Sequence, residues 1–138
     1  MNYSIKGLNH MTFSVSDLER SILFYKEIFN GKLLYQSNRV AYFLICDEIW
    51  LALNVEEQIP RNEIHQSYTY MAFSISEDQL KIAYERLSEH NCLLEGRIRR
   101  EGDGSSLYFQ DSDGHKFEFH TGTLENRLQL LGQFSQRI

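Results

Sequence analysis

Disulfide chemistry has almost no material in this sequence. Only two cysteines, Cys46 and Cys92, occur in 138 residues. They lie far apart and lack the spacing of a metal-binding pair, so both read as free thiols of a reducing compartment. Proline occurs once, as Pro60, in a connecting segment without the length or polarity of a flexible tether. Long apolar runs are missing too. None approaches the roughly 18 residues that cross a bilayer, and no charged-then-apolar leader opens the chain. The expected protein is soluble and cytoplasmic. Positive charge is in deficit, with a formal net charge of −5, which argues against nucleic acid and anionic membrane surfaces as partners. An anionic ligand would have to be met by local arginines.

What the chain does have is apolar and aromatic material, 42% and 13% of its residues. That is enough for one domain to bury about two-thirds of its unfolded surface. The sequence is also duplicated. "LNHMTFSVS" at 8–16 returns as "SYTYMAFSIS" at 67–76, and a shift of 60 places Phe13 on Phe73, Ser14 on Ser74, Val15 on Ile75 and Leu33-Leu34 on Leu93-Leu94. In each copy a strand runs into Ser16 or Ser76, and "SDLE" and "SEDQ" have the form of a capping box that starts a helix. Apolar residues then recur at helical spacing, Leu18, Ile22, Tyr25 and Phe29 in the first half, Leu80, Ala83, Tyr84 and Leu87 in the second. After each helix come three β-rich segments, "KLLYQS", "VAYFLIC" and "IWLALNV", then "CLLEG", "SSLYFQ" and "HKFEFHT". The predicted fold is α+β, two βαβββ modules at about 5–56 and 67–128 joined by a linker at 57–66, within a single domain 1–138 whose mixed sheet curves around a cavity.

Alternation along the strands sorts side chains onto two faces. Met11, Phe13, Val15, Met71, Phe73, Ile75, Leu51, Leu53, Val55, Leu107, Phe109, Phe117 and Phe119 take the core face. One helix per module covers only one face of its sheet. The other face carries His10, Trp50, Asn54, Tyr70, Tyr108, Glu118 and His120, residues suited to a small polar ligand or a metal rather than to bulk water. A lone strand histidine is more often a hydrogen-bonded structural residue than a ligand. His10 in one module and Glu118 in the other together offer an imidazole and a carboxylate, donors that suit Mn²⁺, Zn²⁺ or Fe²⁺. His65, His90 and His115 read as ordinary surface or turn residues.

The stretches "NHMTFSVSDLERSILFY", "AYF", "WLALN", "IPRNEI", "SYT", "GR", "SLYF" and "DGHKFEFHTGTLENRL" closely resemble the fosfomycin-resistance thiol transferases of the vicinal oxygen chelate superfamily, in particular their bacillithiol-using branch. The resemblance runs from about residue 5 to Leu128. It implies a metal-dependent, homodimeric transferase that opens the epoxide of fosfomycin, a small phosphonate, with a low-molecular-weight thiol such as bacillithiol or cysteine. It implies a divalent metal, Mn²⁺ or Mg²⁺ with Zn²⁺ as a third candidate. By position, His10 and Glu118 match the first and last metal ligands, and Glu118 is also the candidate catalytic acid or base. Trp50, Asn54, Tyr68, Arg97, Tyr108 and Arg127 match the substrate pocket.

One departure falls on the ligand set. Where the family has "SYTH" this chain has "SYTY", so Tyr70 stands at the position of a histidine ligand. A phenol has a reference pKa near 10, and forming its phenolate at pH 7 costs about 4 kcal/mol unless the metal returns it. Three outcomes are open: Tyr70 binds as phenolate, His120 steps in from the strand face of Glu118, or the metal is weakly held or absent. Smaller departures are Thr12, Ser112 and the glycine-rich "EGDGSS" loop. The competing expectation is a small-molecule binding protein that has kept the pocket and weakened its catalysis.

Overall fold

In the computed structural model of the chain, residues 2–61, 67–95 and 101–132 are described. Arg97 and His65 lie outside them. The chain divides after Pro60 into two compact units, each a βαβββ module. In the first, β1 (His10–Val15), α1 (Leu18–Phe29), β2 (Lys32–Gln36), β3 (Val40–Ile45) and β4 (Ile49–Val55) build a sheet in the order β1-β4-β3-β2. In the second, β5 (Met71–Ser74), a single 3-10 turn (Glu77–Gln79), α2 (Leu80–Glu89), β6 (Leu93–Leu94), β7 (Ser106–Gln110) and β8 (Lys116–His120) repeat that order as β5-β8-β7-β6. The first and last strands of each module pair in parallel and the remaining neighbours antiparallel. The expected α+β class and tandem modules are borne out, as two four-stranded mixed sheets.

Apolar periodicity explains the first core. Leu18, Ile22, Tyr25 and Phe29 of α1 are all buried, as are Phe13, Val15, Phe43, Leu51 and Leu53 from the strands. Tyr25 stacks on Phe29 with ring centroids 5.4 Å apart and lies 6.3 Å from Phe43. Asn30, in the left-handed conformation at φ 53°, ends the helix. The second core is smaller and more aromatic, with Phe109 against Phe117 and Phe119 at centroid distances of 5.5 and 4.7 Å. Of the second stripe only Leu87 is fully buried, and Tyr84 is exposed. Leu80, Ala83 and Leu87 lie along one line of α2, whereas Tyr84 sits at its edge, where a phenol can reach water.

The helix starts differ from the capping boxes expected at Ser16 and Ser76. Asp17 is the N-cap of α1, its carboxylate accepting from the Arg20 N–H at 3.1 Å. A carboxylate caps as well as a hydroxyl and adds favourable charge at the helix N-terminus. Ser76 precedes the 3-10 turn and makes no side-chain cap, so α2 begins only at Leu80. A reciprocal capping box forms instead at Thr123 and Asn126. It opens α3 (Leu124–Leu130), a helix that followed none of the repeats in the sequence.

The glycine-rich loop before β7 is pinned to the chain after β8. The Ser105 N–H donates to Thr121 Oγ1 at 2.8 Å, and the Thr121 N–H donates to the Ser105 carbonyl at 3.0 Å. Gly104 has φ +74°, and a Cβ there would stand 2.6 Å from the Gly122 nitrogen. Both the backbone conformation and the space demand glycine. Gly104→Ala is expected to cost at least about 2 kcal/mol, since the left-handed penalty alone is about 1–2. Urea denaturation measures it, and a loss below about 0.5 kcal/mol would contradict this packing.

Candidate functional site

Each module has its own sheet, on which the predicted polar residues can be placed. In the first, parallel pairing sets His10 beside Trp50 and Ser14 beside Asn54. The His10 ring stacks on Trp50 at 4.2 Å, and Trp50 meets Tyr42 edge-on at 5.4 Å. Tyr42 was not singled out in the sequence, although the antiparallel register puts it on the same face. The carboxamide oxygen of Asn9 lies 2.7 Å from His10 Nδ1. In the tautomer that donates from Nδ1 to this oxygen, Nε2 carries the lone pair. A metal-binding histidine is commonly oriented in this way, by a hydrogen bond at its other nitrogen. His10, Trp50 and Asn54 are all exposed on the face away from α1. Ala52, between Thr12 and Tyr42 in the central strand, is small enough to be covered by its neighbours, and is buried at 4% exposure.

In the second module the register places Glu118 beside Ala72 on one side and Tyr108 on the other, and His120 beside Ser74 and Ser106. Glu118 is buried at 2% exposure. A carboxylate so enclosed needs hydrogen-bonding partners. Ser106 supplies one: its Oγ lies 2.5 Å from Glu118 Oε2 and 2.7 Å from His120 Nδ1. A hydroxyl has one proton. With Glu118 ionised, Ser106 donates to it and accepts from the Nδ1–H of His120, so His120 Nε2 becomes the bare nitrogen. That Nε2 is buried without a hydrogen-bond partner among the described residues. It faces the turn at Gly122, where a Cβ would approach it to 2.7 Å. Alternation in β7 sets Ser106 on the face of Tyr108, so a signal for it existed in the sequence.

Tyr70 packs edge-on between two other tyrosines, 5.3 Å from Tyr68 and 6.0 Å from Tyr108 by ring centroids. Tyr68 is exposed and Tyr108 half-buried, and the Lys116 ammonium donates to the carbonyl of Ser67 beside them. Arg127 projects from α3, its Nε 3.3 Å from the carboxylate of buried Asp103. Asp103 lies in a loop, where no periodicity marks it. His115 is held in its turn by Asp111, Nδ1 to Oδ2 at 2.7 Å.

Neither cysteine is prepared as a nucleophile. Burial pushes the Cys92 thiol up to about 11, and burial together with Asp47 and Glu48 raises that of Cys46. Both stay protonated near neutrality and are unpaired with each other. A thiolate used at this site has to come from another molecule.

The donor chemistry fits a divalent ion: an imidazole with its second nitrogen engaged and a braced carboxylate. Among the described residues no three His, Cys, Asp or Glu side chains are already gathered as a metal cluster. No helix among the described residues is long and apolar enough to cross a membrane. Replacing Ser106 by Ala removes a donor to a buried carboxylate, and about 1.5–3 kcal/mol of stability should go with it. Ser106→Thr should retain most of that stability. Equal urea midpoints for wild type and Ser106→Ala would refute the bridge.

Comparison with known proteins gives a consistent result. Residues 7–119 match the Glyoxalase/Bleomycin resistance protein/Dioxygenase superfamily. A metallothiol transferase FosB of Lysinibacillus sphaericus is 55% identical over 126 residues, 91% of this chain and 89% of the relative. Another, from Staphylococcus saprophyticus, is 53% identical over 90% of this chain and 82% of its own length. Among solved structures, the fosfomycin resistance protein FosX of Listeria monocytogenes, complexed with Mn(II) and sulfate, superimposes with a TM-score of 0.80 at 34% identity, covering 93% of this chain and 99% of that one.

Proposed function

The chain belongs to the Glyoxalase/Bleomycin resistance protein/Dioxygenase superfamily and, within it, to the metallothiol transferases, and we propose that it transfers a low-molecular-weight thiol to fosfomycin, opening the epoxide. The observation that carries this reading is kinship with metallothiol transferases across nine-tenths of the chain; the hydrogen bonds at His10 and Glu118 support it. The two modules act as one domain, and two chains as a homodimer in the cytoplasm, where thiols are kept reduced.

His10 Nε2 and the carboxylate of Glu118 would hold the ion, Mn²⁺ or Mg²⁺ before Zn²⁺. Bound there, it supplies Lewis acidity at the epoxide oxygen, where negative charge develops as the ring opens. Arg127, with Arg97, grips the phosphonate, because a guanidinium offers paired donors matched to such oxyanions. Tyr68 and Tyr108 add hydroxyl donors, and Trp50 and Asn54 line the neighbouring wall. The incoming thiolate forms the new C–S bond as the C–O bond breaks, and the alkoxide so formed takes a proton. Water supplies that proton, since Glu118 as an ionised ligand is acceptor-only and carries none to give.

Tyr70 favours one alternative, a protein that binds the drug without consuming it. Its ring is packed among tyrosines, where the family has an imidazole.

Mass spectrometry of purified protein incubated with fosfomycin, bacillithiol or cysteine and Mn²⁺ should detect a metal-dependent thiol adduct. Fosfomycin bound but unconsumed would support sequestration instead. Tyr70→His should tighten Mn²⁺ binding by about 10-fold or more, equivalent to roughly 1.4 kcal/mol. An unchanged affinity in titration calorimetry would remove Tyr70 from the ligand set.

A further inference from the structure

We infer that Asp103 is the positioning residue of Arg127, fixing one edge of its guanidinium so that the opposite edge is presented to the phosphonate. The inference rests on the proposed role of Arg127 in substrate binding and extends it to a residue in the loop that departs from the family pattern.

Four observations support it. Asp103 is buried at 7% exposure, while the Arg127 side chain is 40% exposed, so the carboxylate is the fixed partner and the guanidinium the reaching one. Contact is through Nε, at 3.3 Å, and Asp103 is the only side chain engaging the Arg127 guanidinium among the described residues. An arginine held at Nε keeps its two terminal nitrogens for a second, bidentate partner, the geometry that suits a phosphonate. Finally, both residues are set by one clamp. Gly102 and Gly104, at φ +90° and +74°, flank Asp103, and Gly104 sits against Gly122. One residue later Thr123 caps α3, which carries Arg127.

Two effects of Asp103 oppose each other. Its negative charge weakens attraction of an anion to this region, and its hydrogen bond removes the cost of ordering a long side chain at the moment of binding. The guanidinium is well exposed, so water screens the charge effect. Ordering should therefore prevail.

Fosfomycin turnover with thiol and Mn²⁺, and fosfomycin binding by calorimetry, should be compared for wild type, Asp103→Ala, Asp103→Asn, Arg127→Ala and Asp103→Ala/Arg127→Ala. Asp103→Ala should raise KM and Kd about 10-fold and change kcat less than about 3-fold, as expected when a binding group is misplaced. Asp103→Asn, which keeps the acceptor and serves if the alanine variant fails to fold, should fall between wild type and Asp103→Ala. In the Arg127→Ala background, Asp103→Ala should change nothing further. Unchanged KM and Kd in Asp103→Ala, an equal effect in both backgrounds, or tighter binding by Asp103→Asn than by wild type would overturn the inference while leaving the transferase reading standing. Wild-type protein that neither binds nor consumes fosfomycin would overturn that reading, and the inference with it.

Discussion

A carboxylate at 2% exposure is the constraint around which the second module is arranged. Glu118 lies in a central strand, flanked by Ala72 and Tyr108, and enclosure of that kind is tolerable only with hydrogen-bonding partners. Ser106 is such a partner, set opposite His120 by the β7–β8 ladder, and the loop before it is tied to the chain after β8. That tie needs Gly104 against Gly122 and the paired bonds between Ser105 and Thr121. The same short loop delivers Asp103 to Arg127. One loop thus serves both the carboxylate and the arginine.

Duplication supplies the frame and divergence supplies the chemistry. Equivalent parallel ladders set Thr12 beside Ala52 in one module and Ala72 beside Glu118 in the other, then Ser14 beside Asn54 and Ser74 beside His120. The backbone register is the same, but alanine has become a buried acid and asparagine an imidazole. Where the first strand begins the exchange runs the other way, with His10 opening β1 and Tyr70 just before β5. His10 is stacked on Trp50 and held at Nδ1 by Asn9, whereas Tyr70 sits among aromatic rings. Equivalent positions of the two modules thus carry different side chains in different surroundings.

Strand alternation and helical spacing made most of this readable beforehand. Phe13 and Val15 turned inward while His10 and Thr12 turned out, because a period of two leaves little freedom once one face is covered. Local competition between equally good caps was not readable: Asp17 displaced Ser16 at the start of α1. Periodicity also overstated the second helix, where Tyr84 lies at the margin of the stripe. Asp103 could not be found from pattern at all, since a loop residue's partner is set by tertiary docking. Ser106 could have been, from its place two residues before Tyr108.

Central to this account is a proposed ion held by His10 of the first module and Glu118 of the second. Crystals grown with Mn²⁺ and measured for anomalous scattering test it most directly. The account predicts a peak bonded at about 2.2 Å to both His10 Nε2 and a carboxylate oxygen of Glu118, from one chain or from two. No bound ion at saturating Mn²⁺, or an ion whose coordination shell omits either residue, would contradict it.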